Sequence, residues 1–253
     1  MKTKVTLVGS GPGDPQLLTL KAVKAIQNAD AILYDALVNR SVLKHAKASA
    51  QLMCVGKRAG QHSFGQDEIN KLIVDHAFNY GNVVRLKGGD PFIFGRGYEE
   101  LEYVESFGIE VEVVPGISSS SAVPAYQKIP LTHRGLSQSF WVLTATNKYG
   151  ELSDDIKLAV QTNATVVVLM GVSKLSQIVE LYKQQNKENV PIGIIQNGTL
   201  KSEKAVYGTI NNIEQLSAEQ NIQAPAIIVI GEVVALKQEI KVNELSNWNY
   251  YAS

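Results

Sequence analysis

Between Val5 and Val114 the chain alternates short apolar runs with segments whose apolar residues recur at helical spacing. Val5-Thr6-Leu7-Val8, Ala31 to Tyr34, Leu52 to Val55, Asn82 to Leu86 and Val111 to Val114 read as five strands. Leu17, Leu20, Val23 and Ile26 predict an apolar helix face between the first two. Ile69, Leu72, Ile73 and Ala77 stripe a helix that Gly81 is placed to end. Leu101, Val104 and Phe107 mark another, ending at Gly108. Strands apolar on both faces, joined by helices, predict an α/β architecture with a largely parallel, helix-covered sheet.

Pro115-Gly116 breaks this rhythm, and a serine run, Ser118 to Ser121, follows it. A domain boundary here divides the chain into residues 1–115 and 116–253. A serine-capped turn into a helix accounts for the same residues. The second half has strands at Phe140 to Leu143, Val166 to Leu169, Ile192 to Ile195 and Ala226 to Ile230. Helices fit at Lys174 to Gln185 and Ile213 to Gln220.

Composition removes several classes of function. The chain has 253 residues, 24 of them basic and 24 acidic, so no global field favours nucleic acid or an anionic membrane. An anionic substrate must therefore meet a local basic cluster. Cys54 is the only cysteine, and the four histidines lie far apart, which argues against a metal site and fits a reducing, cytoplasmic setting. No signal peptide pattern opens the chain, and no apolar run approaches the ~20 residues of a membrane span.

Two glycine-rich segments carry the chemistry. The first, Gly9-Ser10-Gly11-Pro12-Gly13-Asp14-Pro15, follows the first strand. Its glycine spacing and its prolines depart from a dinucleotide fingerprint. A strained strand-to-helix turn explains it, as does a rigid turn that cradles a nucleoside. The second, Arg85 to Gly97, runs from a buried strand into a loop with four glycines, two arginines, a lysine and an aspartate. A plain turn needs fewer glycines. The carboxyl end of a strand in an open α/β fold is where ligands bind, and glycine lets them approach the backbone.

These segments, together with Leu17-Leu18-Thr19, Ala29 to Asp35, Val55 to Gly60 and Ile129 to Arg134, resemble the tetrapyrrole methyltransferase family from about Val5 to Val234. The resemblance implies the family's own fold, two α/β domains with a cleft between them, and a homodimer. It implies an S-adenosylmethionine-dependent C-methyltransferase that releases S-adenosylhomocysteine. The expected reaction methylates uroporphyrinogen III twice, giving precorrin-2 for sirohaem or cobalamin synthesis. The partner is then a small tetrapyrrole, with no nucleic acid and no membrane.

By residue type alone, Asp35 reads as a helix cap or a loop carboxylate, and Lys57 as a solvated or carboxylate-binding lysine. The resemblance makes Asp35 the proton acceptor and Lys57 the proton donor. It places Pro12, Gly88, Gly89, Asp90, Ile93, Ser118, Ser119, Met170 and Gly198 against S-adenosylmethionine. Met170 alone would be read as core. Arg134, Arg58 and Arg96 fall in matched motifs, and the arginine fork suits the substrate's carboxylates. So does Lys87, less specifically. The alternative is ordinary surface pairing with neighbours such as Glu99 and Glu100, worth little; a substrate role is favoured, first for Arg134. Thr144-Ala145-Thr146 departs from the family's more usual Thr-Gly-His, and Leu169 stands where Tyr is common. Competing readings are a later precorrin methyltransferase, diphthine synthase, or a non-catalytic S-adenosylmethionine sensor.

Overall fold

A computed structural model describes residues 3–56, 64–147 and 149–237. The chain divides into two compact units, Met1–Ser119 and Ser120–Ser253.

In the first unit, strands β1 (Lys4–Gly9), β2 (Ala31–Tyr34), β3 (Gln51–Cys54), β4 (Asn82–Lys87) and β5 (Glu110–Val114) form one sheet in the order β3-β2-β4-β1-β5. Every pairing in it is parallel. Helices α1 (Leu20–Asn28), α2 (Gln66–Tyr80) and α3 (Gly97–Glu105) cover it, and α4 (Ser119–Tyr126) begins at its end. Both faces are buried, as parallel sheets require. Leu7, Leu33 and Val83 pack under Ile73 of α2 and Val104 of α3. Val8, Ile32, Val84 and Leu86 pack under Ala22 and Ile26 of α1. From β1 the chain moves to one side of the sheet, and from β4 to the other. The carboxyl ends of β1 and β4 therefore flank the topological switch point, where open α/β sheets bind ligands.

The stripe Leu17-Leu20-Val23-Ile26 does not form one buried face. Leu17 lies in a separate 3-10 turn, Pro15–Leu17, and Leu20 is exposed. Steps of three residues drift around a helix of 3.6 residues per turn, so the stripe leaves the core within two turns. Thr19 caps α1 through Ala22 N at 3.1 Å, which starts the helix after that turn. Gly81, at φ 89°, ends α2 with its N–H on Ala77 O.

In the second unit, β6 (Phe140–Thr144), β7 (Thr165–Leu169), β8 (Pro191–Gln196), β9 (Lys204–Thr209) and β10 (Ala226–Ile230) are ordered β6-β7-β10-β8-β9. Only β6 and β7 run parallel; the other pairs are antiparallel. Helices α5 (Asp154–Ala159), α6 (Leu175–Gln184) and α7 (Ile213–Glu219) accompany them. Strand β9 escapes sequence patterning. It is an edge strand with one buried apolar residue, Val206, and edges are kept polar against further pairing.

Candidate active site

The two glycine segments meet at the switch point. Gly89 N donates to Gly11 O at 2.8 Å, Gly11 N to Gly89 O at 3.2 Å, and Ser10 N to Lys87 O at 2.8 Å. The loop after β5 completes the arrangement. A Cβ on Gly116 would lie 2.1 Å from Gly89 O and 2.6 Å from Gly9 Cα. Three backbone segments thus pack closer than any side chain permits. Asp90 ties them together, its two oxygens accepting from Phe92 N at 2.9 Å and Gly116 N at 3.0 Å. Its carboxylate therefore organises the loop.

The four glycines of the second segment have two different causes. Gly95 and Gly97 pack on the Pro91 carbonyl, where a Cβ would come within 2.7 and 2.5 Å. Gly88 and Gly89 remain open. At Gly89, with φ +66°, the nearest atom to an added Cβ is Ser118 Cα at 3.9 Å, and Ser119 N follows at 4.0 Å. This is a side-chain-free strip of backbone, and it fits a ligand laid flat against the chain. Ser118 is buried beside it, while Ile93 is exposed on the loop and Pro12 is partly covered.

Next to that strip lies a cluster of buried charge. Arg85 and Lys87, two residues apart on β4, point to the face covered by α2 and α3. Both are almost completely buried, and so is Glu100 of α3. One oxygen of Glu100, Oε1, accepts from Arg85 Nε and Nη2 at 3.2 and 3.1 Å and from Lys87 Nζ at 2.9 Å. Gln66 of α2 adds its Nε2 at 3.2 Å. Arg85 Nη2 also donates to Asp35 Oδ1 at 2.5 Å, while Asp35 Oδ2 lies 3.8 Å from Lys87 Nζ. Burial pushes the Lys87 ammonium below its ordinary pKa, and Arg85 works in the same direction. Burial also opposes the Arg85 charge, but Asp35 and Glu100 outweigh it and hold its pKa above the ordinary value.

Asp35 is no helix cap. Its carboxylate is fixed by Arg85, and Asn39 caps the following 3-10 turn. Its N–H donates to Leu86 O at 3.1 Å, which sets it at the carboxyl end of β4. A Cβ on Gly88 would meet Leu37 Cβ at 3.5 Å, so the Asp35 loop borders the open glycine strip. Gly56 approaches from β3, where a Cβ would fall 2.0 Å from Ala36 N. Lys57 and Arg58 lie outside the described residues.

The second unit gathers its expected site residues at one sheet edge. Met170, exposed and at φ 53°, follows β7; it is not core. Gly198 follows β8, between Asn197 and Thr199 at positive φ, and an added Cβ would lie 2.5 Å from Val123 Cγ1. Asn197 N donates to Pro225 O at 3.0 Å, so the start of β10 shares this edge. Glu203 holds the loop, accepting from Thr199 N at 2.8 Å and from Gln127, which also accepts from Tyr207.

Arg134 sits elsewhere. It is exposed on a tight turn closed by His133 and Ser137. Ser137 Oγ bonds Ser139 O and accepts from Thr165 N, at the beginnings of β6 and β7. Five-residue strands separate that end from Met170 by about 16 Å. Arg96, at φ 58°, forms a two-pronged pair with Glu99 at 2.5 and 2.9 Å on the surface. Lys87 is no surface cation, and Glu100 no surface partner.

Sequence reasoning read Glu100 only as a surface partner, Gly9 as the start of the glycine turn and Gly116 as a break, and named none of them as a site residue. Arg85 and Lys87 left a legible signal: two cations at period 2 in an apolar strand put both on one buried face. That demands an acid opposite them.

Residues 4–214 match the model of the tetrapyrrole (corrin/porphyrin) methylases, and the chain belongs to this family. Both α/β domains fit it. The uroporphyrinogen-III C-methyltransferase of Methanocaldococcus jannaschii is 44% identical over 236 residues, 92% of this chain and 98% of that protein. A sirohaem synthase of Pseudoalteromonas translucida is 40% identical over 238 residues, and the chain spans 50% of its length. The crystal structure of uroporphyrin-III C-methyltransferase from Thermus thermophilus, complexed with S-adenosylhomocysteine, superposes with a TM-score of 0.79. It shares 36% identity, over 92% of this chain and 99% of that one. Among the described residues no helix is long and apolar enough to cross a membrane.

Proposed function

We propose that this enzyme methylates carbon atoms of uroporphyrinogen III, twice, to give precorrin-2. The observation that carries the reading is the Asp35 carboxylate, oriented by Arg85, beside the open Gly88–Gly89 strip at the switch point. S-adenosylmethionine, when bound, supplies an electrophilic methyl group on a sulfonium. Gly88, Gly89, Ser118 and Ser119 offer the backbone against which it lies, and Pro12, Asp90 and Ile93 shape the surrounding loops. Met170 and Gly198, on one sheet edge of the second unit, are proposed as further cofactor contacts.

A fully substituted ring carbon that gains a methyl becomes quaternary, so the macrocycle must lose a proton elsewhere, from a ring N–H or an adjacent bridging methylene. Asp35 Oδ2, the oxygen not bound to Arg85, receives it. A positioned base of this kind is worth about 10²–10⁴-fold in rate. Lys57 is the proposed proton donor, and Gly56 packing on Ala36 brings the strand that leads to it against the Asp35 loop. Arg134 has no partner among the described residues; about 16 Å from Met170, it is proposed only for a substrate carboxylate remote from the methyl transfer, and Arg58 is proposed for another. Arg96 serves only if it exchanges Glu99 for substrate. The proposed setting is a cytoplasmic homodimer.

Anaerobic incubation with uroporphyrinogen III and S-adenosylmethionine tests this. The expected product carries two added methyl groups by mass spectrometry and the absorption spectrum of precorrin-2 after oxidation. Binding of S-adenosylhomocysteine without turnover would support a sensor, and turnover only of a later precorrin would assign a different member of the family.

A further inference from the structure

Buried charges contribute little to stability, because desolvation offsets their attraction; apolar replacements of similar volume are often neutral or better. Two cations and two carboxylates at the edge of a ligand site therefore call for a reason beyond folding. Their arrangement is uneven. Glu100 Oε1 collects three charged N–H groups from Arg85 and Lys87, while Oε2 has no partner among the described residues. Asp35 is engaged through Oδ1, and its Oδ2 stands 3.8 Å from Lys87, beyond a hydrogen bond. Lys87 could reach either carboxylate, and Glu100 holds it.

We propose that Glu100 is a positioning residue for the methylation. By drawing both cations of β4 to one buried oxygen, it keeps Lys87 off Asp35 and leaves Oδ2 of Asp35 free for the departing proton. This rests on the reading of Asp35 as proton acceptor. Without the Glu100 charge, two buried cations share a single carboxylate, and Lys87 closes on Oδ2. Arg85 then orients Asp35 as before, but no lone oxygen faces the substrate.

The crystal structure and kinetics of Glu100→Gln test the proposal. Lys87 Nζ should move from 3.8 Å to hydrogen-bonding distance of Asp35 Oδ2. The kcat should fall about 10-fold or more, on the scale of a misplaced catalytic group, with S-adenosylhomocysteine affinity unchanged. Adding Lys87→Met removes the competing cation along with its restraint and leaves Arg85 balanced by Asp35. The double variant should recover most of the lost kcat, which a merely structural role for Glu100 does not predict. Lys87 remaining clear of Asp35, or a double variant no better than the single one, overturns the proposal. If Glu100→Gln does not fold, Glu100→Asp, which draws the acceptor back from Lys87, is solved and assayed instead; Lys87 on Asp35 Oδ2 with undiminished kcat, or Lys87 clear of it with kcat lost, overturns the proposal. Asp35→Asn is measured beside them. A loss of about 10²-fold or more supports the proton acceptor. Near-normal turnover overturns that reading, and the distance in Glu100→Gln still decides whether Glu100 holds Lys87.

Discussion

At the scale of single residues, two glycines differ in what their space serves. Gly56 abuts Ala36, next to Asp35; Gly116 abuts Gly9 and Gly89 beneath the open strip. An added methyl meets backbone at both, so something must shift, at a cost of about 1–3 kcal/mol of stability. The functional effects should separate. Gly56→Ala should lower kcat while S-adenosylhomocysteine binds normally in calorimetry. Gly116→Ala should weaken that binding, because Gly89 must move. Equal effects of the two on binding would show that the strip and the Asp35 loop shift as one. Neither contact can be read along the chain, since Gly56 and Ala36, or Gly116 and Gly9, meet only when separate strands end side by side.

Among elements, the edge strand β5 is tied to its neighbours by Glu112. Its carboxylate pairs with Lys4 of β1 at 2.6 Å and Lys21 of α1 at 2.5 Å. Hydrogen bonds from Lys21 and Lys4 hold its pKa below the ordinary 4.5. A depressed acid stabilises the fold fully above its unfolded value, and that contribution disappears as pH falls through the folded one. The pairs are partly exposed, so Glu112→Gln should cost only about 0.2–1 kcal/mol at neutral pH. Urea midpoints of the two proteins should converge well below pH 4.5. A gap that persists in acid would mean packing, not charge, joins β5 to the sheet. The parallel strands of this unit were legible because each contains a short apolar run bounded by helix-period segments. The neighbour of each strand was not, since β4 inserts between β1 and β2 although both precede it in sequence.

For the molecule as a whole, each unit has a sheet with buried clusters on both sides, Leu7–Leu33–Val83 and Val8–Ile32–Leu86 in the first, Ile178–Ile194–Ile228 and Val167–Ile195–Val229 in the second. A domain with its own core folds alone. Separately produced residues 1–119 and 120–253 should each unfold cooperatively in urea, and a fragment with no transition would show that its core needs the other half. By itself the sequence determined every described strand but β9, the α/β class, the two glycine segments and the family, because these follow from local periodicity and from residue order. Only the tertiary structure decided which glycines border open space and which face backbone. It alone also set Glu100 against Arg85 and Lys87, and sent Arg134 to the far end of its sheet. Such relations depend on distances between strands remote in sequence, and the burial that makes a charge or a missing Cβ matter exists only after the sheet has closed around it.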